Sequence, residues 1–281
     1  MNPILLYHSV SENPGRLIEP FSVTPATFSR HLDLIQEEGY KTVTFSQLLE
    51  AWTLGKSTEK MIVITFDDGY GDFATTALPE MQNRNMVSTL YITTGFLDGN
   101  PSNQAISRPE DKMLHWDEIP DIAATGTEIG AHSQSHPHLD TLSRTQLRDE
   151  IFRPKGLLED KLQKPIASYA YPHGYCGPRV KQMTQAAGYE SAAGVRDMLS
   201  HRDDDRFNVA RLLVRTSHTD DTFRGWLQLQ GAPKASGNEA LKTKVWRKYR
   251  RLRAMAAGSP INVYAQENAN DYATNSSTTE Q

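Results

Sequence analysis

The runs Ile64-Thr65-Phe66-Asp67-Asp68-Gly69 and His132-Ser133-Gln134-Ser135-His136 hold the residue types that metal-assisted hydrolysis requires. Two imidazoles and one carboxylate make a facial ligand set that leaves positions on a cation open, and the second carboxylate stays free to take a proton. Adjacent aspartates at the end of an apolar run seldom serve packing, because a buried charge must be paired or metal-bound. The plainer alternative is that one of them caps the following segment, with Gly69 permitting a sharp turn. Histidines four apart share a face if their segment is helical, whereas a lone histidine is ordinarily a core or surface residue. His138, two residues further on, reads as a flanking residue.

The rest of the composition restricts the setting. A chain of 281 residues, 38% hydrophobic, can bury one sizeable core. A net charge of −4 argues against nucleic acid as a partner, since phosphate binding needs a basic surface. Cys176 is the only cysteine, so an intramolecular disulfide is excluded. Met1 to His8 lacks a basic leader and its apolar run is short, which predicts a cytoplasmic protein without a transmembrane span.

The elements that must position these side chains alternate in type. Residues 3–7, 61–66, 88–93, 128–131, 168–171, 190–194 and 211–215 read as short buried strands. Helical patterns intervene: Phe28, Leu32 and Ile35 share a face in 27–38, Thr24-Pro25 reads as a cap, and Ser143 opens a helix with Leu147, Ile151 and Leu158. This alternation predicts an α/β fold with a mostly parallel sheet. Polar residues follow several strands at their C-terminal ends, among them His8, Asp67-Asp68, His132 and Pro172-His173, which favours a single-domain barrel of seven or eight strands over an open doubly wound sheet.

The barrel is expected over residues 1–230, a basic helical segment over 231–257 and a disordered tail over 258–281. Residues 241–253 carry seven Lys/Arg interleaved with Val245, Trp246, Tyr249 and Leu252. That pattern suits either a solvated helix docked by Trp246 and Leu252, or a contact with anionic lipid or an acidic partner.

Thr65-Phe66-Asp67-Asp68-Gly69, His132-Ser133-x-x-His136 and Ala170-Tyr171-Pro172-His173-Gly174 together resemble the motifs of the polysaccharide deacetylases, carbohydrate esterase family four or NodB-like. The likeness spans roughly residues 3 to 230. It implies a distorted (β/α) barrel and metal-dependent removal of an N-acetyl group from an amino sugar, so an N-acetylated saccharide is the expected substrate. Carried over residue by residue, Asp67 matches the catalytic base and Asp68, His132 and His136 the metal ligands, with Zn²⁺ first and Fe, Co or Ni as alternatives.

The acid that protonates the departing amine has two candidates. Leu5-Leu6-Tyr7-His8-Ser9-Val10 resembles an early motif of the permuted poly-N-acetylglucosamine deacetylase subgroup and points to His8; the late candidate is His218. Ala170 stands where many members carry the arginine that orients the base, and Arg211 is a candidate replacement. Trp116, Tyr171 and Pro172 are candidates for contacts to the sugar, and the backbone N–H around Tyr175 for the oxyanion. A deformylase, a cyclic-amide hydrolase or a non-catalytic carbohydrate-binding relative are the competing readings.

Overall fold

The computed structural model describes residues 1–101, 107–236 and 241–257. Eight parallel strands form the sheet: β1 (Ile4–Tyr7), β2 (Lys41–Thr42), β3 (Met61–Phe66), β4 (Thr89–Ile92), β5 (Glu128–Ala131), β6 (Ser168–Ala170), β7 (Ser191–Ala193) and β8 (Leu212–Leu213). Seven of them run in the order β7-β6-β5-β4-β3-β1-β8, and β2 adds to β3 outside this path. The ring meets itself at Val209, just before β8. Gly194 N–H donates to Val209 O at 2.8 Å and Val209 N–H to Ala192 O at 3.0 Å. The architecture is thus a distorted (β/α) barrel of seven strands. Their near-continuous apolar sequences follow from burial on both faces.

Eight helices surround or extend the barrel: α1 (Pro25–Glu37), α2 (Phe45–Thr53), α3 (Leu78–Gln82), α4 (Ile119–Ala124), α5 (Arg144–Leu162), α6 (Pro178–Ala186), α7 (Asp220–Leu227) and α8 (Leu241–Ala257) among the described residues. Thr24 caps α1 by accepting from Thr27 N–H, with Pro25 at its first position, as the sequence predicts. Ser143 and Gln146 form a reciprocal capping box at the start of α5. Helix α2, not expected from periodicity, opens with the same device between Thr44 and Gln47. Residues 231–236 return to the barrel, where Leu199 N–H donates to Pro233 O and Ala235 N–H to Leu199 O. The expected tail, 258–281, lies outside the described residues.

Three corrections to the expected elements bear on the site. The last strand is two residues long rather than five, and the Leu213 N–H donates to the Asp197 side chain rather than to a neighbouring strand. His132 to His136 is irregular loop, not helix; Ser133 and His136 both have positive φ, at 70° and 58°. Helix α8 does not dock through Trp246 and Leu252, both of which are exposed.

Candidate active site

Side chains converge at the C-terminal mouth of the barrel. Asp67 and Asp68 follow β3, His132 follows β5, His8 follows β1 and His173 follows β6. The turn after β3 is pinned on both sides: Asp67 N–H donates to Tyr7 O, Gly69 N–H to Asp67 O and Thr93 N–H to Asp68 O. Asp68 sits at φ 76°, a left-handed conformation costly for a non-glycine residue. Together with Ser133, His136 and His173 it makes a local concentration of such positions, held by the surrounding hydrogen bonds.

The loop between the two histidines is clamped from beneath. Glu150 of α5 accepts Gln134 N–H and Ser135 N–H, both at 2.9 Å, and the Ser135 hydroxyl at 2.5 Å. Thr94 Oγ1 donates to Gln134 Oε1, and Ser133 Oγ accepts His136 N–H. No periodicity announces Glu150; an acid seven residues after the Ser143 cap reads as surface until the fold brings the loop over it.

Asp68, His132 and His136 are all buried, and one ligand atom from each lies within 4.8 Å of the others. Asp68 Oδ1 is 3.5 Å from His132 Nε2 and 3.3 Å from His136 Nε2. Donors about 2.0–2.1 Å from a tetrahedral zinc stand roughly 3.3–3.4 Å apart, so these separations fit a shared cation. Two further observations agree. Asp68 Oδ1 is buried without a hydrogen-bond partner among the described residues. His132 Nδ1 lies 2.8 Å from Ala170 O, so it carries the proton and leaves Nε2 as a lone-pair donor. Burial and the neighbouring Asp67 push the Asp68 carboxyl well above its usual range, while burial and the adjacent histidines keep His136 neutral.

Asp67 has a different environment. Arg211, fully buried, donates from Nη1 to Asp67 Oδ1 at 2.7 Å and from Nη2 to Oδ2 at 2.8 Å. The same guanidinium donates to Thr65 Oγ1 and, through Nε, to Gly194 O. Thr65 and Asp67 alternate on the inward face of β3 and its extension, which is why one arginine reaches both. Burial opposes ionisation of Asp67, but the charges of Arg211 and His132 outweigh it and hold the carboxyl below its ordinary value. Asp67 Oδ2 is 3.6 Å from His132 Nε2. Ala170 offers no guanidinium there, and the one that pairs with Asp67 comes from just ahead of β8. A charged residue inside Val209–Val214 was the available signal.

His8 stands close enough to feel Asp67, His132 and Arg211, and burial lowers its pKa to about 4. Its Nδ1 is buried without a hydrogen-bond partner among the described residues. His218 is elsewhere: its Nδ1 accepts Arg215 N–H at 3.2 Å and its ring stands edge-on to Trp226 of α7. Tyr171 is fully buried with its hydroxyl donating to Phe207 O, and Trp116 is also buried in the core. Neither presents a ring to a saccharide. Pro172 is buried at the start of a 3-10 turn, where Tyr175 N–H is committed to Pro172 O at 3.1 Å rather than left for an oxyanion. His173, expected at a strand end but given no role, is a neighbour of the site, its ring 4.5 Å from His136 and 4.6 Å from His138.

Residues 54–192 match the family of polysaccharide deacetylases. Over 227 residues the chain is 24% identical to the Bacillus subtilis protein YxkH, assigned by name to polysaccharide deacetylases, covering 80% of this chain and 76% of that one. It is 27% identical to the peptidoglycan-N-acetylmuramic acid deacetylase PdaA of Bacillus subtilis over half of this chain and 49% of PdaA. Among solved structures, the Streptococcus pyogenes deacetylase PplD in complex with acetate superposes with a TM-score of 0.70 at 20% identity, over 80% of this chain and 96% of that one. The matched stretch holds the two aspartates and the histidine pair, and residues 54–192 are a polysaccharide deacetylase domain.

Proposed function

We propose that the protein is a metal-dependent hydrolase that removes the N-acetyl group from an amino sugar within an N-acetylated saccharide. The observation that carries this reading is the buried convergence of Asp68, His132 and His136 beside a carboxylate clamped by Arg211. Asp68, His132 and His136 would hold the cation, and the His₂Asp donor set suits Zn²⁺, with Fe, Co and Ni as alternatives. A divalent cation held there supplies Lewis acidity toward an amide carbonyl and toward water.

The chain's own residues supply the remaining steps. Asp67, kept ionised by Arg211, takes the proton of the attacking water. Arg211 fixes the orientation of that carboxylate and cannot itself lose a proton. His132 keeps its ligating tautomer through Ala170 O. His8 faces the same mouth and is the donor we assign to the departing amine, a reading supported by the likeness of Leu5-Leu6-Tyr7-His8-Ser9-Val10 to the early motif of the permuted subgroup. One observation favours a second route: burial leaves His8 neutral at pH 7, so the proton already taken by Asp67 is available for delivery to the amine.

The test is acetate release from N-acetylglucosamine oligomers by protein loaded with Zn²⁺. Release of formate from N-formyl analogues in preference to acetate would favour the deformylase reading. Saccharide binding that persists unchanged without metal or turnover would favour a non-catalytic relative.

A further inference from the structure

Helix α8 rests on the barrel by a charged side rather than an apolar one. Arg250 is buried; its Nη2 donates to Asp140 Oδ2 at 2.5 Å and its guanidinium lies 3.7 Å over the ring of Tyr175. Ala254 is buried one turn further on. Arg247 crosses Gly177, where a Cβ would come within 2.8 Å of its guanidinium. At about 100° per residue, Arg247, Arg250 and Ala254 share one face, Val245, Tyr249 and Leu252 lie opposite, and Trp246 stands on the flank beside Tyr249. Those four side chains are 51–67% exposed. Trp246 and Tyr249 stack with their rings 5.2 Å apart. Lys248, Arg251 and Arg253 are exposed around them.

A helix on a globular protein ordinarily turns its apolar stripe inward, so this inversion calls for something that covers the stripe from outside. Charge identifies the class of that partner. Leu241–Ala257 carries seven Lys/Arg and no acid, although the whole chain has a net charge of −4. A second copy of the same face would set like charges against like. An anionic bilayer instead offers phosphates for the cations and a headgroup boundary for a tryptophan, a tyrosine and a leucine.

We propose that α8 seats the protein on an anionic lipid surface, with Trp246, Tyr249 and Leu252 entering the headgroup boundary and Lys248, Arg251 and Arg253 meeting lipid phosphates. Tyr175, which Arg250 covers, also packs against His138 and His173. The seated helix thereby holds the rim of the candidate site close to the bilayer. No helix among the described residues is long and apolar enough to cross a membrane, so the contact is peripheral.

The test is co-sedimentation of the full chain with phosphatidylcholine vesicles, with and without phosphatidylglycerol. Binding is expected only with phosphatidylglycerol, is weakened by salt, and falls about tenfold or more in the Trp246→Ala/Leu252→Ala double variant. Both replaced side chains are exposed, so the fold is retained, and unchanged thermal melts check this. Absence of binding to anionic vesicles overturns the proposal, as does equal binding by the variant. A dimer in solution that the same two substitutions split, or recovery of an acidic protein in place of lipid binding, also overturns it. The readout needs no turnover and stands or falls apart from the deacetylase reading.

Discussion

Arg211 and Asp67, 144 residues apart in sequence, meet in a two-pronged ion pair inside the barrel, and the carboxylate is ionised because of it. Arg211→Gln leaves a buried carboxylate without its cation, at an expected loss of about 3–5 kcal/mol of stability. The pKa of Asp67 then rises, so the acid limb of the kcat/KM profile moves to higher pH. Arg211→Lys keeps the charge but loses the fork, and both effects should be smaller. Denaturant melts and pH–rate profiles check this; an unmoved acid limb in Arg211→Lys and Arg211→Gln alike would remove Asp67 as the titrating base.

Asp67→Asn should lower kcat by about 10²–10⁴ while metal content is retained, since Asp68, His132 and His136 are untouched. Metal analysis beside the rate measurement separates the two roles. Loss of metal in this variant would mean that Asp67 is itself a ligand.

His8 can be probed through the leaving group. If it protonates the amine, His8→Asn should slow hydrolysis of an N-acetyl sugar by about a hundredfold or more, yet barely affect a p-nitrophenyl acetate whose leaving group needs no proton. Equal losses on both substrates would shift proton delivery to Asp67.

Glu150 never approaches the cation site but ties down the loop between its histidines. Glu150→Ala should weaken metal affinity about 10–100-fold, measured by competition with a chelator, with little change in kcat at saturating metal.

Acid should destabilise the metal-free protein in a defined range. Burial lowers His31 from 6.5 to about 4 and His173 to about 3. Such a group contributes stability that is complete above the unfolded value and drains away as pH falls toward the folded one. Thermal melts should therefore decline between pH 6.5 and about 4, with His31, stacked on Phe223 and bonded to Tyr7 Oη, worth up to about 3 kcal/mol. A flat profile across that range would contradict the burial of these rings.

The strands were legible where both faces are buried. Met61–Phe66 and Glu128–Ala131 have the expected bounds because a doubly covered parallel strand is written as an uninterrupted apolar run. The aspartates and histidines were legible as types at strand ends, since the barrel mouth collects whatever follows each strand. Arg211 was harder to place: its partner depends on which strand closes the ring, and that is a property of the whole topology. Tyr171 and Trp116 were ambiguous because a buried aromatic and a sugar-stacking one are spelled alike. Whether His132–His136 is helical was left open by the spacing, which cannot reveal left-handed residues at Ser133 and His136. Helix α8 reversed its expected orientation because long arginines can dock where apolar side chains usually do.

The ring of strands is completed at Val209, two residues before Arg211. The contact that seals the cylinder and the guanidinium that pairs with Asp67 therefore come from one short segment. A chain cut ahead of Val209 would lose both the closing contact and the guanidinium that Asp67 pairs with.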